Sequence, residues 1–125
     1  MIIEKDQVFN SKADIAKLFG KEFNAQSTYI FVDSDKKVAF WSITRDSSTS
    51  WSNKIIDNYV IERSNKKRKS ATILKPDLIR LLFIKTDGKY IFNGVYKPIF
   101  VDEDNNTCFY KEIATKFDCK KLKTI

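Results

Sequence analysis

The segment from Ile79 to Tyr96 constrains the fold of this chain more than any other. Two apolar runs flank Asp87-Gly88, and Asp-Gly suits a two-residue type I′ turn because both central residues need positive φ. The segment therefore predicts an antiparallel hairpin. Counting outward from the turn, the predicted pairs are Lys85 with Tyr90, Ile84 with Ile91, Phe83 with Phe92, Leu82 with Asn93, Leu81 with Gly94 and Ile79 with Tyr96.

Both faces of this hairpin are largely apolar. Opposed residues share a face, so the predicted first face holds Ile79, Leu81, Phe83, Tyr90, Phe92 and Tyr96. The second holds Leu82, Ile84, Ile91 and Val95, and is interrupted by Arg80 and Asn93. A hairpin that is buried on both sides belongs at the centre of a barrel or under a helix. Tyr29, Tyr90, Tyr96 and Tyr110 are interpreted as core rings with hydroxyls at a wet edge, or alternatively as walls of a pocket.

A short helix is predicted from Ser11 to Phe19 and is the available cover for the hairpin. Ser11 and Asp14 form a capping pattern, the apolar residues that follow have helical spacing, and Gly20 suits a C-cap. The other predicted strands are Thr28–Val32, Lys37–Ile43, Asn58–Arg63 and Thr107–Ile113, and the predicted surface loops are Thr44–Ser52 and the basic run Ser64–Ser70.

These elements predict an α+β fold, mostly β: a small curved antiparallel barrel with one or two short covering helices. At 125 residues the chain has room for one core, so we expect a single domain over residues 1–125, with a basic C-terminal tail from about residue 116. No apolar run is long enough to cross a bilayer and the N-terminus does not resemble a secretory signal, so we expect a cytoplasmic protein.

The absence of His excludes several catalytic classes for this chain. Triads that use His, and nucleases that use His with a metal, need a side chain that the sequence does not contain. Cys108 and Cys119 are too few for a zinc site and are interpreted as reduced thiols. Glu62 and Lys66 lack the Glu-x-Lys spacing of metal-dependent carboxylate nucleases. We therefore expect no enzymatic activity, no cofactor and no metal site.

The formal net charge of +7 indicates a polyanionic partner, either nucleic acid or an anionic membrane surface, and we expect nucleic acid and no membrane. Trp51 and Asn53, near Trp41 and Tyr59 in the sequence, are residue types that stack a base and hydrogen-bond its edge. The alternative places Trp41 in the core and makes Trp51 a plug of its loop. The candidate phosphate-binding residues are Arg63, Lys66, Lys67, Arg68 and Lys69, with a solvated loop as their alternative.

The order of these features resembles a known family. It comprises Val8-Phe9 with Ile15 and Phe19-Gly20, a strand ending in Phe40-Trp41, Trp51-x-Asn53 before a strand ending in Glu62-Arg63, and the closing hairpin with Leu82-Phe83 and Tyr90 to Tyr96. Over residues 7–113 this arrangement is similar to the modified-DNA-reading modules of HNH-type restriction endonucleases, which are related to SRA and PUA-like barrels. The glycines that often accompany Glu62-Arg63 in that family are absent here.

The resemblance implies a DNA-binding module of a restriction or defence system that holds a flipped, modified base between aromatic rings. Base binding then falls to Trp41, Trp51, Asn53 and Tyr59, and phosphate binding to Lys54, Arg63, Lys66, Lys67, Arg68 and Lys69. DNA is favoured over RNA as the partner, and a separate nuclease or defence protein is a further expected partner. The alternative function is a basic inhibitor or immunity factor that blocks an enzyme or a nucleic-acid channel.

Overall fold

The computed structural model describes residues 1–44, 51–64, 78–102 and 104–121. Within these ranges the chain is mostly β, with one α-helix and a short 3₁₀ turn at residues 119–121. The helix is α1 (Lys12–Leu18). The strands are β1 (Ile2–Glu4), β2 (Val8–Phe9), β3 (Tyr29–Phe31), β4 (Val38–Ile43), β5 (Trp51–Ile56), β6 (Tyr59–Ser64), β7 (Ile79–Thr86), β8 (Lys89–Asp102), β9 (Thr107–Ala114) and β10 (Lys116–Asp118).

Helix α1 begins and ends where the capping pattern predicts. Ser11 Oγ accepts a hydrogen bond from the backbone N–H of Asp14 at 3.1 Å, and Gly20 follows the helix with a φ of 62°. The helix buries Ile15 fully, in a cluster that also contains Phe83 and Phe92 of the hairpin. The prediction that this helix covers the hairpin is confirmed.

The hairpin turn is also confirmed, but the predicted register holds only near the turn. Asp87 and Gly88 both have positive φ, and Phe83 pairs with Phe92 as expected. A β-bulge follows, so Leu82 pairs with Gly94 instead of Asn93. A bulge places an extra residue in one strand and reverses the faces of the residues beyond it. The predicted faces of Val95 and Tyr96 are therefore wrong.

The main sheet has the strand order β3-β4-β7-β8-β9-β6-β5, and β2 pairs with β8 at its side. Strands β4 and β7 run parallel, which the expectation of an antiparallel barrel did not include. In this path β3 and β5 stand at opposite ends, so the sheet is not closed into a barrel. A separate pair of strands, β1 and β10, joins the two ends of the described chain.

Strand β8 divides the sheet into two layers. Its first half pairs with β7, with a register shift between Leu82 and Phe83. Its second half pairs with β9, with register shifts between Val95 and Tyr96 and between Pro98 and Phe100. We call β3, β4, β7 and the first half of β8 the first layer, and the rest of the path the second layer. Trp41 of the first layer packs on Tyr110 of the second, with ring centroids 4.7 Å apart. The sheet therefore curves so that its second layer covers the inner side of its first.

Two hydrophobic clusters flank the first layer. The helix-side cluster lies under α1 and includes Ile15, Phe40, Leu81, Phe83, Phe92 and Val95. The inner cluster lies between the two layers and includes Trp41, Val60, Leu82, Ile84, Tyr96, Cys108 and Tyr110. Successive residues of β4 and β7 alternate between the two clusters, as the two-residue period of a strand requires.

Several predicted boundaries need correction. Trp51 and Ser52 were assigned to a surface loop, but they begin β5. Residues 116–118, predicted as the start of a basic tail, form β10 against β1, and Cys119 behind them is buried. The central parts of the two predicted loops, residues 45–50 and 65–70, lie outside the described residues. Both cysteines are free thiols, as expected.

The described ranges contain no helix with the length and apolar character needed to span a membrane.

Candidate nucleic-acid interface

The second layer has two chemically different faces, and strand register assigns each residue to one of them. Asn53 of β5 pairs with Glu62 of β6, which pairs with Cys108 of β9. In the same way Val60 pairs with Tyr110. Because Cys108, Val60 and Tyr110 belong to the inner cluster, this face, with Asn53 and Glu62 on it, is the one that meets the first layer.

Arg80 of β7 occupies the centre of this interface between layers. Its side chain is on the same face of β7 as Leu82, and the residue is only 7% exposed. The guanidinium carbon lies 4.6 Å from the ring centroid of Tyr29, 5.0 Å from that of Trp41 and 4.6 Å from that of Tyr110. A guanidinium at this distance from aromatic rings gains cation–π attraction, which is stronger where water is excluded.

Glu62 supplies a buried acidic group to the same region. Its carboxylate oxygen accepts a hydrogen bond from the hydroxyl of Tyr110 at 3.3 Å, and the residue is 6% exposed. We call Tyr29, Trp41, Asn53, Glu62, Arg80 and Tyr110 the Arg80 cluster.

The two tyrosines of the Arg80 cluster resist ionisation. Burial raises the pKa of Tyr110 above its ordinary value, and the nearby charge of Glu62 acts in the same direction while Arg80 opposes it. Burial likewise raises the pKa of Tyr29, with Arg80 opposing and Glu62 reinforcing the shift. Both hydroxyls therefore stay protonated at neutral pH and remain available as hydrogen-bond donors.

Two polar atoms of the Arg80 cluster are buried without a hydrogen-bond partner among the described residues. They are Oδ1 of Asn53 and Nε of Arg80. Most buried polar groups in proteins are paired, because an unpaired one loses its hydration without compensation. The Arg80 cluster therefore contains one hydrogen-bond acceptor, Asn53 Oδ1, and one donor, Arg80 Nε, that have no partner among the described residues.

The Arg80 cluster connects the two end strands of the sheet. Tyr29 is on β3 and Asn53 is on β5, and both residues are half-buried, whereas Trp41 and Tyr110 are buried. The cluster thus lies where the ends of the open sheet approach one another.

The structure brings together part of the base-binding set predicted from the sequence. Trp41 and Asn53 are both in the Arg80 cluster. Tyr59 is not, because it pairs with Lys111 on the opposite face of the second layer and is 37% exposed. Trp51 is the first residue of β5, opposite Ser64. The structure therefore places Trp41 and Asn53 on the inner face and Tyr59 on the outer face.

The predicted phosphate-binding residues are also distributed. Lys54 and Arg63 are exposed on the outer face of the β5–β6 hairpin, one residue from Asn53 and Glu62 respectively. Lys66, Lys67, Arg68 and Lys69 lie outside the described residues. Lys54 and Arg63 are thus on the same hairpin as Asn53 and Glu62 of the Arg80 cluster, but on its opposite face.

Sequence reasoning missed Arg80 as a site residue and treated it as an interruption of an apolar face. A charged residue inside a strand whose neighbours are all apolar was the available signal, since a buried charge requires dedicated partners. Glu62 was examined for catalysis only. Tyr29 and Tyr110 were recognised as half-buried or buried rings, but nothing in the sequence placed them around Arg80.

Three acidic residues of the second layer and its turns lie in different local environments. Asp57 is in the β5–β6 turn with a φ of 51°, Glu62 is buried in the Arg80 cluster, and Asp102 accepts hydrogen bonds from Asn105. Over the described ranges, no three His, Cys, Asp or Glu side chains converge as metal ligands would.

Comparison with known proteins identifies a structural relative. The fold is similar to that of the 5-hydroxymethylcytosine-specific restriction enzyme AbaSI, with a TM-score of 0.81 and 18% sequence identity. The match covers 98% of this chain and 43% of that enzyme, so the chain spans less than half the length of its relative. No family model and no curated protein sequence matches the chain.

The chain therefore shares the fold of part of a restriction enzyme that is specific for a modified cytosine. At this level of identity the likeness concerns the fold, and function has to be argued from the site itself.

Proposed function

We propose that this chain is a DNA-binding module that takes a modified cytosine into the Arg80 cluster. The observation that carries the proposal is the pair of unpartnered buried atoms, Asn53 Oδ1 and Arg80 Nε, in a cluster where Arg80 lies against aromatic rings. The likeness to a 5-hydroxymethylcytosine-specific enzyme supports cytosine as the base. Because the chain spans only part of that enzyme, the proposal assigns binding to it and not cleavage.

The chemistry of the cluster suits cytosine. A cytosine presents an amino group that donates hydrogen bonds, and ring nitrogen and carbonyl groups that accept them. The Asn53 oxygen and the Glu62 carboxylate are acceptors for the amino group, and the Arg80 guanidinium is a donor for the other two positions. Tyr29, which is half-buried, supplies a ring for stacking on the side that Arg80 does not cover.

A base can reach this cluster only when it leaves the duplex. Proteins that extrude a nucleotide pay for unstacking and recover the energy through stacking and hydrogen bonds in a closed pocket. The exposed Lys54 and Arg63 lie on the outer face of the same hairpin, where they are available to phosphates that flank the extruded nucleotide. Base recognition and backbone binding are therefore proposed for opposite faces of β5 and β6.

The test compares two duplexes that differ at one cytosine, which is 5-hydroxymethylated in one of them. Fluorescence anisotropy should show tighter binding of the modified duplex by the wild-type protein. Asn53→Ala should weaken binding of the modified duplex by roughly tenfold, since one good contact to a base edge is worth about 1–3 kcal/mol. Asn58→Ala is the matched control, because Asn58 is an exposed amide in the turn of the same hairpin.

Lys54→Ala and Arg63→Ala should weaken both duplexes equally and leave the preference unchanged. Each should also reduce the steepness of the dependence of log K on log salt by about 0.9, the value for one phosphate contact on B-DNA. Equal affinity of the wild-type protein for the two duplexes at every salt concentration would refute base recognition. No affinity for either duplex would refute the DNA-binding proposal as a whole.

A further inference from the structure

The outer face of the second layer carries a second group of aromatic side chains. We define the outer face as the residues of β8, β9, β6 and β5 that point away from the Arg80 cluster. Strand register arranges them in two adjacent cross-strand rows: Lys97, Lys111, Tyr59 and Ile56 in one, and Phe100, Phe109, Ile61 and Lys54 in the other.

The rings of this face are accessible, unlike those of the Arg80 cluster. Phe100 is 59% exposed and Tyr59 is 37% exposed, and Phe109 is half-buried beside them. The rings of Phe100 and Phe109 contact each other with centroids 5.6 Å apart. Three adjacent strands thus each present one aromatic ring on a continuous face.

Positive charge surrounds these rings on both sides. Lys97 and Lys111 lie in the row with Tyr59, and Lys54 and Arg63 lie on the β5–β6 side. None of these four cations forms an ion pair with another residue in the described part of the chain. The acidic residue nearest in the register, Asp102, accepts hydrogen bonds from Asn105. The face therefore combines stacking surfaces with cations that have no acidic partner there.

We propose that the outer face binds single-stranded nucleic acid, independently of any modified base. Bases stack on Phe100, Phe109 and Tyr59, and phosphates contact the flanking Lys and Arg side chains. Aromatic rings interleaved with cations are the features that hold unpaired nucleotides, because every base has a face that can stack. A duplex cannot use these rings, since its bases are already stacked on each other.

Charge and ring geometry favour this ligand over a protein partner. A second copy of the chain brings a net charge of +7 to the same contact and is repelled. An acidic protein would satisfy the cations, but it has no specific need for three rings on three neighbouring strands. Nucleic acid uses both features at once.

The test measures binding of fluorescent oligothymidylate and oligouridylate of about 12 nucleotides, a length within the usual site sizes for such surfaces. Phe100→Ala should weaken binding by roughly tenfold, because stacking on one ring is commonly worth that much. The control is Val8→Ala, which truncates a side chain of similar exposure, 53%, on β2. The two oligonucleotides separate a preference for DNA from one for RNA.

A charge-matched pair of double variants tests the cations. Lys97→Ala with Lys111→Ala should reduce the steepness of the salt dependence by about 1.4, from about 0.7 per phosphate contact on a single strand. Lys17→Ala with Lys89→Ala removes the same net charge from exposed positions elsewhere and should leave the steepness nearly unchanged. Equal effects of the two double variants would overturn the proposal, because net charge alone would then explain binding.

Other outcomes also overturn the proposal. These are undetectable binding of both oligonucleotides, and unchanged affinity in Phe100→Ala. Sedimentation of the wild-type protein as a dimer that Phe100→Ala dissociates would assign the face to a second copy. Failure here is separable from failure of the proposed base recognition: Asn53→Ala should leave oligonucleotide binding intact, and Phe100→Ala should leave the preference for the modified duplex intact.

Discussion

The helix-side cluster and the Arg80 cluster lie on opposite faces of the same two strands, β4 and β7, yet they differ in kind. Phe40 and Leu81 belong to an apolar cluster, while the adjacent Trp41 and Arg80 belong to one with a guanidinium, a carboxylate and a carboxamide. Burial of apolar groups stabilises without specific geometry, whereas buried polar groups stabilise only when they are paired. Under the proposed function, the inner side combines apolar packing with recognition, whereas the helix side contributes apolar packing.

The largest effect is expected on the helix side. Phe83 is fully buried, and its ring contacts those of Phe9, Phe40 and Phe92. Phe83→Ala should lower the free energy of unfolding by about 3–5 kcal/mol, since it removes packing and leaves a cavity. Urea denaturation measures this loss. Phe100→Ala is the control and should change stability by less than about 0.5 kcal/mol, because its ring is exposed.

If the two sides differ as proposed, Phe83→Ala protein that is still folded at low temperature should retain the preference for modified DNA. Loss of that preference in folded Phe83→Ala protein would contradict the division of roles between the clusters.

An intermediate loss of stability is expected from a substitution at the bend of β8, which connects the two layers. Gly94 has a φ of 120°, and a Cβ there would lie 3.1 Å from the carbonyl oxygen of Ala114 and 3.1 Å from a carboxylate oxygen of Glu112. Gly94→Ala should therefore cost about 2–3 kcal/mol of stability, combining backbone strain with crowding. Gly20→Ala shares the positive φ but has open space around it, so it should cost less.

Thermal unfolding of the two glycine variants measures the difference. Equal destabilisation would show that crowding at the bend contributes nothing and that β8 tolerates a Cβ at this position.

The smallest expected effect is on the stability of the protein at alkaline pH, and it arises from Tyr110 on the inner side. The pKa of Tyr110 is raised in the folded protein, so the folded state holds a proton that the unfolded state releases above a pH of about 10. The stabilising contribution is thus complete below that pH and is lost as the pH rises further. Urea midpoints should fall between about pH 9 and pH 11, and the fall should be shallower in Tyr110→Phe.

At neutral pH the same Tyr110→Phe variant should lose only about 1 kcal/mol, the usual contribution of one hydrogen bond, here the one to Glu62. An identical alkaline profile in wild type and variant would exclude Tyr110 as a source of the pH dependence.

Local features of the fold were predictable from the sequence because short-range chemistry determines them. The cap at Ser11 and the turn at Asp87-Gly88 depend on residues within one turn of chain, and both are confirmed. The hairpin register is confirmed for the pairs next to the turn, from Lys85 with Tyr90 to Phe83 with Phe92. The predicted central position of the hairpin is also confirmed, because it was inferred from two apolar faces and both faces are buried.

The remaining features depend on contacts between distant segments. In the sequence, only Gly94 indicates the bulge after Phe92. The bulge places Val95 and Tyr96 on faces opposite to the predicted ones. The parallel pairing of β4 with β7 could not be predicted, because both strand sequences are mostly apolar and neither indicates which strand it pairs with or in which direction. In the candidate site, Trp41 and Asn53 were named from residue type, whereas the role proposed for Arg80 depends on the three rings that the fold places around it.

The parallel pairing of β4 with β7 also has a kinetic consequence. It brings Val38 beside Ile79, so the β7–β8 hairpin, which can form locally, must be joined to β4 across a long stretch of chain. The bond from Tyr110 to Glu62 likewise spans 48 residues. Because the entropy cost of closing long loops slows folding, we expect refolding on the order of milliseconds to seconds. The Arg80 cluster, which is made of such distant contacts, should be among the last regions of the molecule to assemble.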